Sequence, residues 1–242
     1  MKRILFISSL LMLSGIIHVS AQKGFNIGVG GNVNAIFILN QNTYGMEELD
    51  YKPSIGGSVN LGIGYNFNNW LGLKTEIGYA RLGQKYYDHK DNPQITRDIR
   101  LNYIMVPLLI RFSAGGHFLR FYGAFGPQFA FLTSALQDYL KNGVPLPKFY
   151  NPQTHDTIDP SQTTITGRYQ KTDIMGRIDL GLDIIFFQHL ALNFGISSAY
   201  GFTDINASDW RLNNDKGSYS KSTNLYAGFT VGIRYCFGGF GK

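Results

Sequence analysis

The sequence predicts an all-β protein, an eight-stranded antiparallel up-and-down transmembrane β-barrel. Three observations lead there. Eight stretches alternate apolar residues with small or polar ones. The connections between them run long, short, long, short, long, short, long. Only 16% of residues are charged, against about 25% in a soluble domain, while the chain holds 29 Gly, 18 Phe and 15 Tyr. An outer-membrane barrel combines these features: alternate residues face lipid, periplasmic turns are short and outer loops are long.

Taken in order, residues Met1 to Ala21 read as a secretory signal. Lys2 and Arg3 form its positive start, Ile4 to Ile17 its apolar centre, and Val19-Ser20-Ala21 its small-x-small cleavage pattern. The expected organisation is a signal peptide at 1–21 and one barrel domain at 22–242, exported to the outer membrane of a Gram-negative bacterium. The mature chain has no second apolar run near the 20 or so residues a spanning helix needs. Its longest, Ile104 to Ile110, is interrupted by Pro107.

The strands are expected at Phe25–Phe37, Ser54–Phe67, Trp70–Gly83, Leu101–Ser113, Phe118–Leu132, Asp173–Phe186, Leu190–Thr203 and Leu225–Phe237. The short connections are Asn68-Asn69, Ala114 to His117 and Phe187 to His189. Strand side chains alternate faces. In the last strand Leu225, Ala227, Phe229, Val231, Ile233, Tyr235 and Phe237 share one face, and Tyr226, Gly228, Thr230, Gly232, Arg234 and Cys236 the other. The polar face is rich in Gly, Ala and Ser, which suits the narrow interior of an eight-stranded barrel. The apolar face is large and nearly uncharged, and no amphipathic helix is available to cover it. Apolar side chains are therefore expected to meet lipid, with polar ones in the lumen. Tyr65, Phe67, Trp70, Phe112, Phe118, Phe186, Tyr235 and Phe237 gather at the short turns, and Phe37, Phe131, Tyr200 and Phe202 toward the long loops. Amphipathic rings at both boundaries would form two girdles.

The predicted lumen holds Lys74, Glu76, Arg111, Arg120, Arg177, Asp179, Asp183 and Arg234. Buried charges persist when paired and hydrogen-bonded. Arg120 and Asp183 lie at similar depths on neighbouring strands and form the expected cross-strand pair. Five cations against three anions leave two positive charges to be answered by water, an anion or an acidic loop residue. The set reads either as an anion site or narrow path, or as a packed plug, since side chains fill barrels of this size.

The formal charge is +6, and +4 once Lys2 and Arg3 are removed with the signal. The charges are scattered with no basic run, so nucleic acid is not an expected partner. Cys236 is the only cysteine, so no internal disulfide is expected. Closure without a free edge would hold the fold instead.

Tyr103 to Phe112, with its Pro107-Leu108-Leu109 core, followed by Phe121-Tyr122-Gly123-Ala124-Phe125-Gly126-Pro127, resembles the paired central strands of the PorT-like outer-membrane β-barrel family. The resemblance spans essentially the mature chain and implies location and fold. The family's namesake belongs to a protein-secretion system. The family often carries Glu two residues before the proline, where this chain has Met105, so the acid that would answer Arg111 is missing at that position. The ending Thr230-Val231-Gly232-Ile233-Arg234-Tyr235-Cys236-Phe237 is similar to the signal read by the barrel-assembly machinery, though a five-residue tail follows it.

No cofactor is expected. Gly28-Val29-Gly30-Gly31 lacks the helix and third spaced glycine of a phosphate loop. Asp204 to Asp209 spaces oxygen ligands but lacks the glycine turn of a calcium loop. His89 beside Asp88 and His155 beside Asp156 supply an enzyme alternative, a lipid-modifying or proteolytic barrel, but no serine stands at a matching spacing. The connection Thr133 to Thr172 is the main binding candidate, with Tyr139, Phe149, Tyr150 and Tyr169 among several prolines. Long loops without secondary structure are often functional, and aromatics dominate interface hot spots. The expected role is non-enzymatic: a binding or accessory barrel, in contact with outer-membrane lipids and with a protein partner through residues 133–172. A narrow channel is the remaining alternative.

Overall fold

The computed structural model describes residues 23–40, 50–87, 95–145, 147–151, 156–159, 163–211, 213 and 217–240. The segment read as a signal, and His89 and His155, lie outside the described residues.

Eight long strands form the body: β1 (Gly24–Leu39), β2 (Ser54–Asn66), β3 (Leu71–Tyr87), β4 (Ile95–Gly115), β5 (Leu119–Lys141), β6 (Thr172–Phe187), β7 (Leu190–Gly201) and β8 (Thr223–Cys236). Each pairs antiparallel with the next, and β8 pairs back onto β1, with Asn26 opposite Cys236 and Leu39 opposite Thr223. The ring leaves no open edge along its body. Its faces follow the expected alternation. On β8, Phe229 and Val231 are exposed while Tyr226, Arg234 and Cys236 are buried. A soluble protein exposing so continuous an apolar belt would aggregate, whereas a bilayer solvates it. At the short-turn end, Phe25 meets Tyr65 edge-on at 4.9 Å, Trp70 stacks on Phe112 at 6.0 Å, and Tyr235 meets Phe237 at 5.2 Å, as a girdle requires.

Three strands outrun the expected bounds. β4 has 21 residues and β5 has 23, about twice the 9–11 a tilted spanning strand needs. The sequence reading stopped them where lipid-compatible residues stop. Beyond that level the alternation continues, but the outer face carries Arg81, Lys85, Asp98, Arg100 and Asp138, tied by Arg100–Asp138 at 2.7 Å and Lys85–Asp98 at 3.9 Å. A bulge lies where Asn102 faces Ser134 and Tyr103 faces Leu132, so Thr133 is the extra residue, and parity reverses there on β5. Tyr139 therefore lies inside a strand, 5% exposed, and not in a loop. Short strands lengthen this wall: Asp50–Lys52 pairs with β3 and Val144–Pro145 with β5.

Both ends of the tube are filled. At the long-loop end, residues 163–172, 203–211 and 217–222 fold across the mouth. Ile165 N–H donates to Ala135 O at 2.9 Å, Gln170 N–H to Ile205 O at 2.8 Å, and Ala207 N–H to Arg168 O at 3.0 Å. Ile165, Tyr169 and Ile205 thereby join Ile36, Ile38, Leu82, Ile99 and Leu101 in one buried apolar cluster. Tyr169, expected on a loop surface, is part of this core. At the other end the tail turns back: Phe240 N–H donates to Gln188 O at 2.6 Å, and its ring packs with Ile185, Ala191 and Cys236.

Candidate functional site: the charged lumen

The Pro-Leu-Leu and Tyr-Gly-x-x-Gly-Pro segments meet at the barrel wall. Pro107 lacks an N–H, so the ladder to β3 is interrupted opposite Glu76 and Ile77. Thr75 Oγ1 donates to Pro107 O at 2.8 Å instead. A Cβ on Gly126 would fall 2.1 Å from Leu108 O, so β4 and β5 approach this closely only with glycine there. The motif is thus a packing device that sets the wall behind the lumen.

All eight predicted lumen residues point inward, and they divide into two clusters. In the first, Arg177 is central. Its Nε and one terminal nitrogen hold both oxygens of Asp179 at 2.8 and 2.9 Å, and the other terminal nitrogen donates to Glu76 at 2.9 Å. Lys74 completes it at 2.5 Å from Glu76. Two cations meet two anions, so this cluster is neutral. Above it Gln128 accepts from Tyr226 Oη at 3.0 Å and turns its amide to the sulfurs of Met105 and Met175. A position where the PorT-like pattern often has Glu is here a soft contact to Gln128.

The second cluster lies nearer the short-turn end. Asp183 accepts from Arg111 at 2.6 Å, and also from Arg234 and Asn193. The expected Arg120–Asp183 pair is in register but is not an ion pair. Arg120 donates to the carbonyl of Asn69 in the β2–β3 turn, because the shared carboxylate is already engaged by two other arginines. Nor is Arg111 without an acid: in so narrow a tube the partner comes from across the lumen and need not sit on the adjacent strand. Arg111 also lies 3.9 Å over the Tyr122 ring. That ring fits because Gly181 and Gly195 face each other beneath it, and a Cβ on either would fall 2.7–2.8 Å from the Tyr122 hydroxyl. Three guanidiniums and one carboxylate leave two positive charges here, so the surplus read from sequence is localised in this cluster.

Between the clusters a cavity of about 50 Å³ is lined by Lys74, Arg111, Arg234, Glu76, Asp179, Asn60, Asn193 and the glycines of β1, β2 and β8. A second, of about 20 Å³, lies above Glu76 and Arg177. Gly28 and Gly30 of the rejected phosphate-loop pattern line the larger cavity, whereas Gly31 faces outward.

Among the inward groups the sequence reading missed, two are charged and stand on strands. Asp173, buried under the long-loop cap, accepts from Thr203 at 2.5 Å and Asn224 at 2.9 Å. Arg97, in the extension, donates to Gln137 at 2.9 Å. Both lie on strand segments placed beyond, or at the edge of, the expected bounds. Asp204, weighed as a calcium ligand, organises its own loop: it accepts from Asn206 N–H, Ser222 N–H, Tyr219 Oη at 2.6 Å and Arg211 Nε at 2.9 Å. Burial first, and then the bond to Asp204, push the Tyr219 hydroxyl up to about 12. Of the four loop aromatics, the backbones of Phe149 and Tyr150 form a small hairpin with Asp156–Ile158.

These features, a closed ring with a lipid-facing belt and a filled polar lumen, define the class of small membrane barrels. Residues 20–207 match the family model described as outer membrane protein beta-barrel domain, and the chain belongs to that family. Solved structures of similar course include Neisserial surface protein A, at 12% identity over 88% of this chain and 97% of that one, with a TM-score of 0.45. Others are OprG from Pseudomonas aeruginosa, at 11% identity, covering 88% and 95%, TM-score 0.43, and Ail from Yersinia pestis, solved with a heparin analogue, at 12% identity, covering 87% and 99%, TM-score 0.41. No curated protein matches the chain.

Proposed function

We propose that this protein is a sealed, non-enzymatic outer-membrane barrel that works as a binding or accessory component through its outer wall and cap. The short turns and both strand termini face the periplasm, and the β3–β4–β5 extension stands outside. The observation that carries the reading is closure at three levels. Phe240 fills the periplasmic end, the Arg177 and Asp183 clusters fill the middle, and the Ile165–Tyr169–Ile205 core fills the outer end. A barrel whose described lumen is filled at three levels presents its outer surface as its means of action. The PorT-like strand pair supports a place beside a secretion or uptake complex.

The test is cross-linking and affinity purification of the tagged protein from outer membranes, with and without residues 142–162. That deletion spares β5, which a cut at Thr133 would destroy. A stoichiometric partner that disappears with the segment supports the reading. Equal recovery of the same proteins by both forms counts against it.

A further inference from the structure

We propose that the lumen binds a small inorganic anion of chloride size in the cavity between its two charged clusters. Charge gives the first argument. Arg111 and Arg234 share the single carboxylate of Asp183, Arg120 beside them reaches only the Asn69 carbonyl, and the neighbouring Lys74–Glu76–Arg177–Asp179 set is balanced and cannot lend a carboxylate. Two uncompensated charges in a water-poor interior are costly unless an opposite charge reaches them.

Geometry gives the second argument. The cavity touches the two arginines that must share one carboxylate: Arg111 and Arg234 line it, with Lys74 also in its wall. Arg234 is 5% exposed, and its Nε, wholly buried, has no acceptor among the described residues. One terminal nitrogen of the same guanidinium is held by Asp183, so the side chain cannot swing away to find another partner. Asn60, Asn193 and Thr230 add neutral groups able to donate. Gly28, Gly30, Gly62 and Gly232 form the wall beside Arg234, and their missing side chains are what leave the space. A volume of about 50 Å³ holds a chloride with a few waters, and excludes an organic acid the size of gluconate. Glu76 and Asp179 also line the cavity, but both are neutralised by Lys74 and Arg177.

The experiment compares the unfolding midpoint of the folded full chain in zwitterionic detergent, in sodium chloride, bromide and gluconate at equal ionic strength. Chloride and bromide are expected to raise the midpoint over gluconate by about 2–4 °C, the shift that a weakly bound ion gives a barrel of this size. Asn60→Asp supplies a carboxylate in the cavity at almost no change in shape. It is expected to raise the midpoint in gluconate and abolish the chloride effect. Equal wild-type midpoints in all three salts, or a chloride effect unchanged in Asn60→Asp, would overturn the proposal. Bromide anomalous scattering from wild-type crystals decides it independently of any variant. A peak beside Arg234 supports the site, and water alone there removes it.

Discussion

At the residue scale, the lumen shows how a narrow tube fixes charge partners. Arg177 carries two carboxylates at once, and all three groups are buried. Arg177→Met would leave Glu76 and Asp179 competing for Lys74 alone, and breaking a buried ion pair costs about 3–5 kcal/mol. The variant's folded band should be lost at distinctly lower urea than that of wild type. Lys74→Met should cost less, since Lys74 is the more exposed member and Glu76 retains Arg177. In the outer loop, Tyr219 gives a pH-dependent contact. Its proton is held more tightly in the folded loop than in an unfolded chain, where tyrosine titrates near 10. The stabilisation is therefore complete below pH 10 and lost as pH rises through about 12. Absorbance titration at 295 nm should show one tyrosine ionising near pH 12 that is missing from Tyr219→Phe.

At the element scale, strand interiors depend on glycines where ring and backbone crowd them. Gly181→Ala puts a Cβ 2.3 Å from Phe194 O and 2.7 Å from the Tyr122 ring. Overpacking of this kind costs about 1–3 kcal/mol. The folded band of Gly181→Ala should therefore disappear at a lower temperature than that of wild type. The strands themselves were legible in the sequence because lipid on one face and a crowded lumen on the other impose strict alternation. Only the outer ends of β3, β4 and β5 escaped, where the outward residues become charged and the alternation reads as loop. The bulge at Thr133 added to this by reversing parity, so the inward Ala135, Gln137 and Tyr139 do not continue the alternation of Phe118–Leu132. The lumen residues were legible by the same parity. Their pairing was not, because Asp183 chooses between Arg111, Arg120 and Arg234 by reach across the tube, which neighbouring register does not encode. Phe240 was unreadable for a related reason, since nothing local marks a five-residue tail as a plug.

At the scale of the whole molecule, the barrel is a closed support with a tall wall on one side. Its apolar belt anchors it, its lumen stiffens it, and the β3–β4–β5 extension with the folded cap forms a shaped surface beyond the membrane. Beyond Lys141, the Val144–Pro145 pairing joins the tip to β5. Removing residues 142–162 should leave heat-modifiable migration on gels intact, because the strands that close the ring are untouched. A deletion that abolished the folded band would show the tip to be part of the fold.

The measurement that bears most directly on a sealed barrel is single-channel recording of the purified full chain in planar bilayers. The filled lumen, with Phe240 below, the paired arginines between and the apolar cap above, predicts no steady conductance at moderate voltage. Reproducible unitary steps of uniform size in the wild-type protein would contradict that closure, and would make this a channel instead of a scaffold.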